Sequence, residues 1–360
     1  MENHTNFRNN EPESSSFMPP RDPGSSYAYI PGTGFVLNDP AMLQRRHLRY
    51  VAAHVGIAMI FYILLAAFIT LPVVLMYSAM GFPVSLNFNT MRVYGTQLML
   101  QVVSLTTTVV KLGIPALFLW GSLRHYAKVS TIFSVPRFKT FPLALPIVLA
   151  GSVLGAFAAE LLQRGMTALG HYVAIPSYSI PDEPLELILS VVLLTVIPAV
   201  LEEVLFRGLI MQGLRCFGDG IALVASSVLF ALAHFNLMQG ANALIMGLII
   251  GYFVLRTGSV WIGVILHFVV NILSFFETFL FRTVLMGQSE LVGNIVSLVL
   301  LLAGFAAFIV LIRKEDTAFS TPILKNSLLP SSKRLALCFG NTGMILAFLM
   351  FLFFGLQMGI

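Results

Sequence analysis

The sequence predicts an all-α membrane protein: a polytopic bundle of about eight to nine transmembrane helices with a cytoplasmic N-terminus. Three observations lead there. Of the 360 residues, 57% are hydrophobic and only 10% are charged, whereas a soluble domain is about a quarter charged. The apolar residues gather into runs near the ~20 residues that a helix needs to cross the hydrocarbon core. The basic residues between the runs are unevenly shared. With the N-terminus inside, the cytoplasmic segments hold Arg45, Arg46, Arg49, Arg124, Lys128, Arg137, Lys139, Arg215, Arg256, Arg313, Lys314, Lys325, Lys333 and Arg334, and the outer loops hold only Arg92, Arg164 and Arg282. That asymmetry sets the orientation. It also accounts for the net charge of +5 without a nucleic acid partner. The expected partner is the lipid bilayer, and the expected location is the cell membrane, as a multi-pass protein.

Residues 1–44 are polar, rich in Asn, Ser, Pro and Gly, and lack periodicity. They read as a disordered cytoplasmic tail. No basic-then-apolar leader opens the chain, so the first apolar run is the expected insertion signal. Nine helices are expected at about 51–79, 94–121, 141–163, 185–214, 221–238, 241–255, 259–281, 291–312 and 335–358. They divide into N-terminal membrane helices (45–184), a core (185–281) and two C-terminal membrane helices (282–360). Cys216 and Cys338 fall near the cytoplasmic side without CxxC spacing and read as reduced, structural thiols.

The first two helices read as outer scaffold. Lys111 lies deep in the second, either with a function or reaching a loop, a carbonyl or a carboxylate. Glu160 and Arg164 near the end of the third form an i,i+4 pair at an interface. The loop 164–184, with Pro176, Pro181 and Pro184, reads as an ordered external turn. The fourth helix carries Pro198, which removes a backbone donor and frees the Leu194 carbonyl, so a kink is expected there.

One turn after Pro198 stands Glu202-Glu203-Val204-Leu205-Phe206-Arg207-Gly208. A charge near the bilayer centre costs roughly 2.5–3.5 kcal/mol on insertion scales. Glu203 and Arg207 are four apart and can pair on one helix face. Glu202 points about 100° away from Glu203 and must find its company on another helix. The fifth helix offers Phe230 and His234 on one face, with Ser227 continuing it. The sixth carries Ala243, Gly247 and Gly251, a small-residue stripe read as close packing. The seventh offers His267, Asn271, Ser274 and Thr278, a polar stripe expected to face the bundle interior. Measured along each helix from its cytoplasmic end, Glu202, His234, His267 and Asn271 come to one depth of roughly 16–23 Å, at 1.5 Å per residue.

A carboxylate, two imidazoles and an amide at one depth suit activated water in two ways. A buried glutamate beside a histidine can act as general base, with His267 and Asn271 donating to a developing oxyanion. Alternatively Glu202, His234 and His267 would be ligands of a zinc ion, if one is bound, which lowers the pKa of its water. Either way the reaction is hydrolysis, most plausibly of an amide. No serine or cysteine nucleophile is suitably placed, and HExxH is absent.

EEVLFRG, FALAH and HFVVN match EExxxR, FxxxH and HxxxN in order. In this the stretch 185–275 resembles the CPBP family of CAAX prenyl proteases and bacteriocin-processing enzymes, also called Abi. The resemblance implies an intramembrane endopeptidase acting on a membrane-associated peptide or protein. Its eukaryotic members remove the last three residues of prenylated CAAX proteins, and its bacterial members often have other substrates. It implies that Glu202 activates water with His234, that His267 and Asn271 form the oxyanion site, and that Glu203 and Arg207 support them. The family is classed as metalloprotease, while a metal-free glutamate mechanism is also proposed for it. Two other classes compete: an ion-coupled transporter, since buried Glu, His and Lys also mark ion pathways, and a catalytically inactive bacteriocin-immunity protein. The missing inverted repeat weighs against the transporter.

Overall fold

The computed structural model describes residues 27–30, 34–37, 40–124, 133, 140–171, 173, 180–283, 289–314 and 327–358. It is an all-α membrane bundle with two small hairpins. Contacts divide the chain into two units, Met1–His47 and Leu48–Ile360. In the first, β1 (Tyr27–Ile30) pairs antiparallel with β2 (Gly34–Leu37). The expected unstructured tail 1–44 therefore holds a hairpin in its described part, and helix α1 (Pro40–Phe68) begins within it. The reason lies in the local sequence. Two short β-prone runs flank Pro31-Gly32-Thr33, which is a turn signal. Residues 1–26 lie outside the described residues.

Helix α1 breaks at Ile69, and α2 (Thr70–Ala79) continues the first apolar run. A second hairpin, β3 (Val84–Asn87) with β4 (Arg92–Gly95), joins α2 to α3 (Gln97–Leu123). Asn87 closes its turn by accepting from the backbone amides of Asn89 and Thr90. Helix α4 (Phe141–Ala168) comes next; residues 174–179 of the expected external turn lie outside the described residues. The run Pro184–Phe217 is one long span, here α5. Then come α6 (Asp219–Leu232), α7 (Leu237–Thr257), α8 (Val260–Thr283), α9 (Ser289–Lys314), α10 (Ser331–Phe339) and α11 (Thr342–Met358).

Among the described residues seven helices are long and apolar enough to span, or eight if α10 and α11, bent by 59°, form one span. The fifth expected helix, 221–238, differs most. Helix α6 has only 14 residues and ends at Leu232. Its continuation is cut by Phe235, whose φ of 51° lies in the left-handed region. Next to it Asn236 caps α7, accepting from the amides of Met238 and Gln239. An Asn at this point is a helix start signal, and the apolar periodicity of the run hides it.

Helix α5 packs against α3 and α8, and α7 packs against α4, α6 and α8. The small-residue stripe of α7 works as expected. A Cβ on Gly247 would meet Ser227 of α6 at 3.0 Å, and one on Gly251 would meet Leu223 at 2.6 Å. The expectation for the first two helices changes. Leu48, Val55, Met59, Tyr62 and Ile63 of α1 are fully or nearly fully buried in the main core with Phe206 and Phe217. Helix α1 is thus part of the core rather than outer scaffold: Tyr62 meets Phe206 of α5, and Gly56 lies against Gly343 and Met344 of α11.

Candidate active site

Helix α5 does not stay α-helical around the acidic pair. Before Pro198, the Ile197 amide bonds back five residues to the Val192 carbonyl. After Glu202, the chain again takes wide π-type turns over Glu203–Ile210, closed by Met211 N–H to the Phe206 carbonyl. Such turns recur at functional sites. Here they bracket the pair, so the expected distortion beside Pro198 takes this form.

Glu203 and Arg207 are fully buried, and Arg207 Nη1 donates to Glu203 Oε1 at 2.7 Å. The guanidinium carbon lies 4.2 Å from the centroid of the Phe230 ring. Arg207 Nη2 and Nε have no hydrogen-bond partner among the described residues. The ring face partly offsets this, since a desolvated cation–π contact contributes about 2 kcal/mol. Phe230 in turn meets both imidazoles edge-on, with centroids 5.0 Å from His234 and 6.0 Å from His267. This single ring therefore spaces the arginine and the two histidines.

His267 of α8 joins the pair from the other side. Its Nδ1 lies 3.0 Å from Glu203 Oε1, the oxygen that already accepts from Arg207. A carboxylate can only accept, so Nδ1 carries a proton and Nε2 is turned to Glu202, whose Oε2 is 4.0 Å away. That gap is beyond hydrogen-bond length. Glu203 is thus more than a structural partner of Arg207: it sets the tautomer and orientation of His267. His234 lies in the turn past the end of α6, and its Nδ1 donates to the Phe230 carbonyl at 2.9 Å. Its Nε2 keeps a lone pair in the neutral ring. Glu202 is partly exposed, and the company it needed includes His267 of α8. Lys111 of α3 lies over the Tyr62 ring, 5.6 Å from its centroid.

Asn271 stands one turn beyond His267, half-buried, and its amide has no hydrogen bond among the described residues. The rest of the polar stripe does not face inward as expected. Ser274 and Thr278 are exposed, and Thr278 donates to the Ser274 carbonyl. Glu160 and Arg164 are exposed and paired with each other, away from the site.

Two contributors lie outside the motif residues. Tyr62 of α1 donates its hydroxyl to the Ala233 carbonyl at 2.8 Å, fixing the residue before His234. Its ring stacks on Phe235. Nothing in a tyrosine of the first apolar run announces this. Gly263 of α8 leaves space for the acid: a Cβ there would lie 2.8 Å from Glu203 Oε2. A signal for it exists, since Gly263 is four residues before His267 on the same helix face.

Among the described residues no group of three or more His, Cys, Asp or Glu side chains could hold a metal ion. Two ligand atoms of a tetrahedral zinc with bonds of 2.0–2.2 Å sit about 3.4 Å apart, and the Glu202 and His267 atoms are 4.0 Å apart. As placed, the Glu202 and His267 atoms therefore stand wider apart than two ligands of one tetrahedral zinc.

A family pattern described as type II CAAX prenyl endopeptidase Rce1-like matches residues 184–273. This part of the chain is similar to that family. The match runs from the first residue of α5 to just past Asn271, so it contains every residue of the site except Tyr62 and Lys111. Comparison with curated proteins and with solved structures found no match. The family match supports a CAAX-type intramembrane endopeptidase in general. Helices α1 and α3 lie outside the matched stretch and still reach its centre.

Proposed function

We propose that this chain is an intramembrane endopeptidase in which Glu202, assisted by His234, activates water for attack on a peptide carbonyl. The reading rests above all on His267, held by Glu203 at 3.0 Å with Nε2 facing Glu202. Glu202 takes a proton from water as its oxygen adds to the carbonyl carbon. His267, as the imidazolium, and Asn271 donate to the tetrahedral oxyanion. The carbon–nitrogen bond then breaks, and Glu202 returns the proton to the leaving amine. His234, with Nδ1 committed to Phe230 and Nε2 free, orients the water. Glu203 and Arg207 hold the frame. The proposed substrate is a membrane-associated peptide of CAAX type.

The test is cleavage of a quenched farnesylated peptide by protein reconstituted in nanodiscs. Glu202→Gln and His234→Ala are expected to lose at least about 10³-fold in kcat/KM, the range of a general base and its partner. His267→Ala and Asn271→Ala each lose about 10²–10³-fold, the usual cost of an oxyanion donor. Full activity in the Glu202 and His234 variants would end this reading. Activity is expected to survive chelation in metal-free buffer; loss on chelation with recovery on added zinc would make Glu202, His234 and His267 ligands instead.

A further inference from the structure

Lys111 is the charged group at the site that the peptidase reaction does not use. It lies on α3, half-buried, with its ammonium 5.6 Å from the centroid of the Tyr62 ring. Tyr62 is the residue that donates to the carbonyl next to His234. Among the described residues Lys111 has no hydrogen bond and no ion pair. An ammonium has three donors and no acceptor, and in a membrane interior an ionisable group without a partner marks a function. The simplest alternative makes it the counter-ion of Glu202. Coulomb attraction falls with distance and is steepest where water is absent, so a dedicated counter-ion would sit in contact. Lys111 lies over the Tyr62 ring and makes no ion pair with Glu202 among the described residues. Its donors are left for a second anion.

A second anion is supplied if the proposed peptidase reading holds, and the inference rests on that reading. A CAAX-type substrate carries three residues after its cysteine and ends in a free carboxylate. Three extended residues span about 10 Å. A leaving segment cut beside Glu202 and His234 can therefore carry its terminal charge toward the cation that lies over the Tyr62 ring. We propose that Lys111 receives the C-terminal carboxylate of the substrate, so that the site reads a free chain end as well as a peptide bond. The Tyr62 ring face beneath the ammonium holds it against the wall that also positions His234.

The experiment uses one farnesylated tetrapeptide in two forms, free acid and C-terminal amide. kcat/KM is measured for the wild type, Lys111→Met and Lys111→Arg. Equilibrium binding of both peptides is measured in a His234→Ala background, with and without the Lys111 change. A charge-assisted hydrogen bond predicts that the acid is preferred by about 10- to 100-fold. Lys111→Met is expected to bring the ratio near one, with the loss falling on the acid, and Lys111→Arg to keep the preference. Equal loss on acid and amide would make Lys111 a tuner of Glu202 and overturn the proposal, as would a wild type that binds both forms alike. Acid-selective binding without cleavage would sustain Lys111 as the receptor while removing the peptidase reading. Cleavage without selectivity would do the reverse.

Discussion

Glu203 Oε1 accepts from two sides, from Arg207 within α5 and from His267 on α8. Burial turns this into a matter of stability. Arg207→Ala leaves a fully buried carboxylate without its cation, and breaking such a pair typically costs ~3–5 kcal/mol. The expected outcome is a sharp fall in folded yield, read by detergent gel filtration and thermal unfolding. A stable, well-folded Arg207→Ala protein that had lost cleavage would instead place Arg207 in the chemistry. At this scale much is legible in the sequence. Four-residue spacing predicts the Glu203–Arg207 pair, and the odd angle of Glu202 predicts partners elsewhere. The role of Glu203 in orienting His267 is not legible, because the 64 positions that separate them carry no periodic relation; only the packing of α8 on α5 brings them together.

Among the elements, close approach decides the site. Helix α8 can bring His267 to Glu203 because Gly263, one turn earlier, presents no side chain. A Cβ at that position would stand 2.8 Å from Glu203 Oε2 and 2.8 Å from Val254 Cγ2. Gly263→Ala is therefore expected to push α8 away from α5 and α7, costing about 1–3 kcal/mol as overpacking does. Its larger effect should fall on kcat, since the His267–Glu203 bond has no slack. Measured kcat and KM with a thermal midpoint would check this; unchanged kcat would show that the contact tolerates the displacement. The long helices and the packing stripe of α7 are legible through period and small residues. The stop of α6 at Leu232 is not. There the apolar run continues through His234 and Phe235, and only the Asn236 cap and the positive φ of Phe235 interrupt it. His234 consequently sits on a turn, anchored by Tyr62, rather than inside a helix.

The whole molecule places the Rce1-like core against helices that the family match does not cover. Leu298, Leu302 and Phe305 of α9 and Leu161 of α4 are exposed, as lipid-facing residues are. Helices α1 and α3 touch the matched stretch from outside it and supply Tyr62 and Lys111. The distribution of basic residues supports a cytoplasmic N-terminus. We expect single cysteines placed at Arg45 and Arg124, in a background lacking Cys216 and Cys338, to be shielded from an impermeant thiol reagent in intact cells. A cysteine at Arg92 should react. The opposite pattern would invert the bundle and move the site's access to the other face. The contribution of α1 is not visible in the sequence because its polar groups are few, and apolar composition alone does not distinguish a lipid-facing helix from a central one.

The doubly engaged Glu203 oxygen also bears on what inheritance can change. In a saturation scan that scores protein abundance and proteolysis separately, position 202 should dissociate the two, with many substitutions abundant and inert. Position 203 should not, because the same atom holds both the buried Arg207 and the imidazole turned to Glu202. Drift at Glu202 could leave behind an inactive but persistent descendant, whereas drift at Glu203 would leave none.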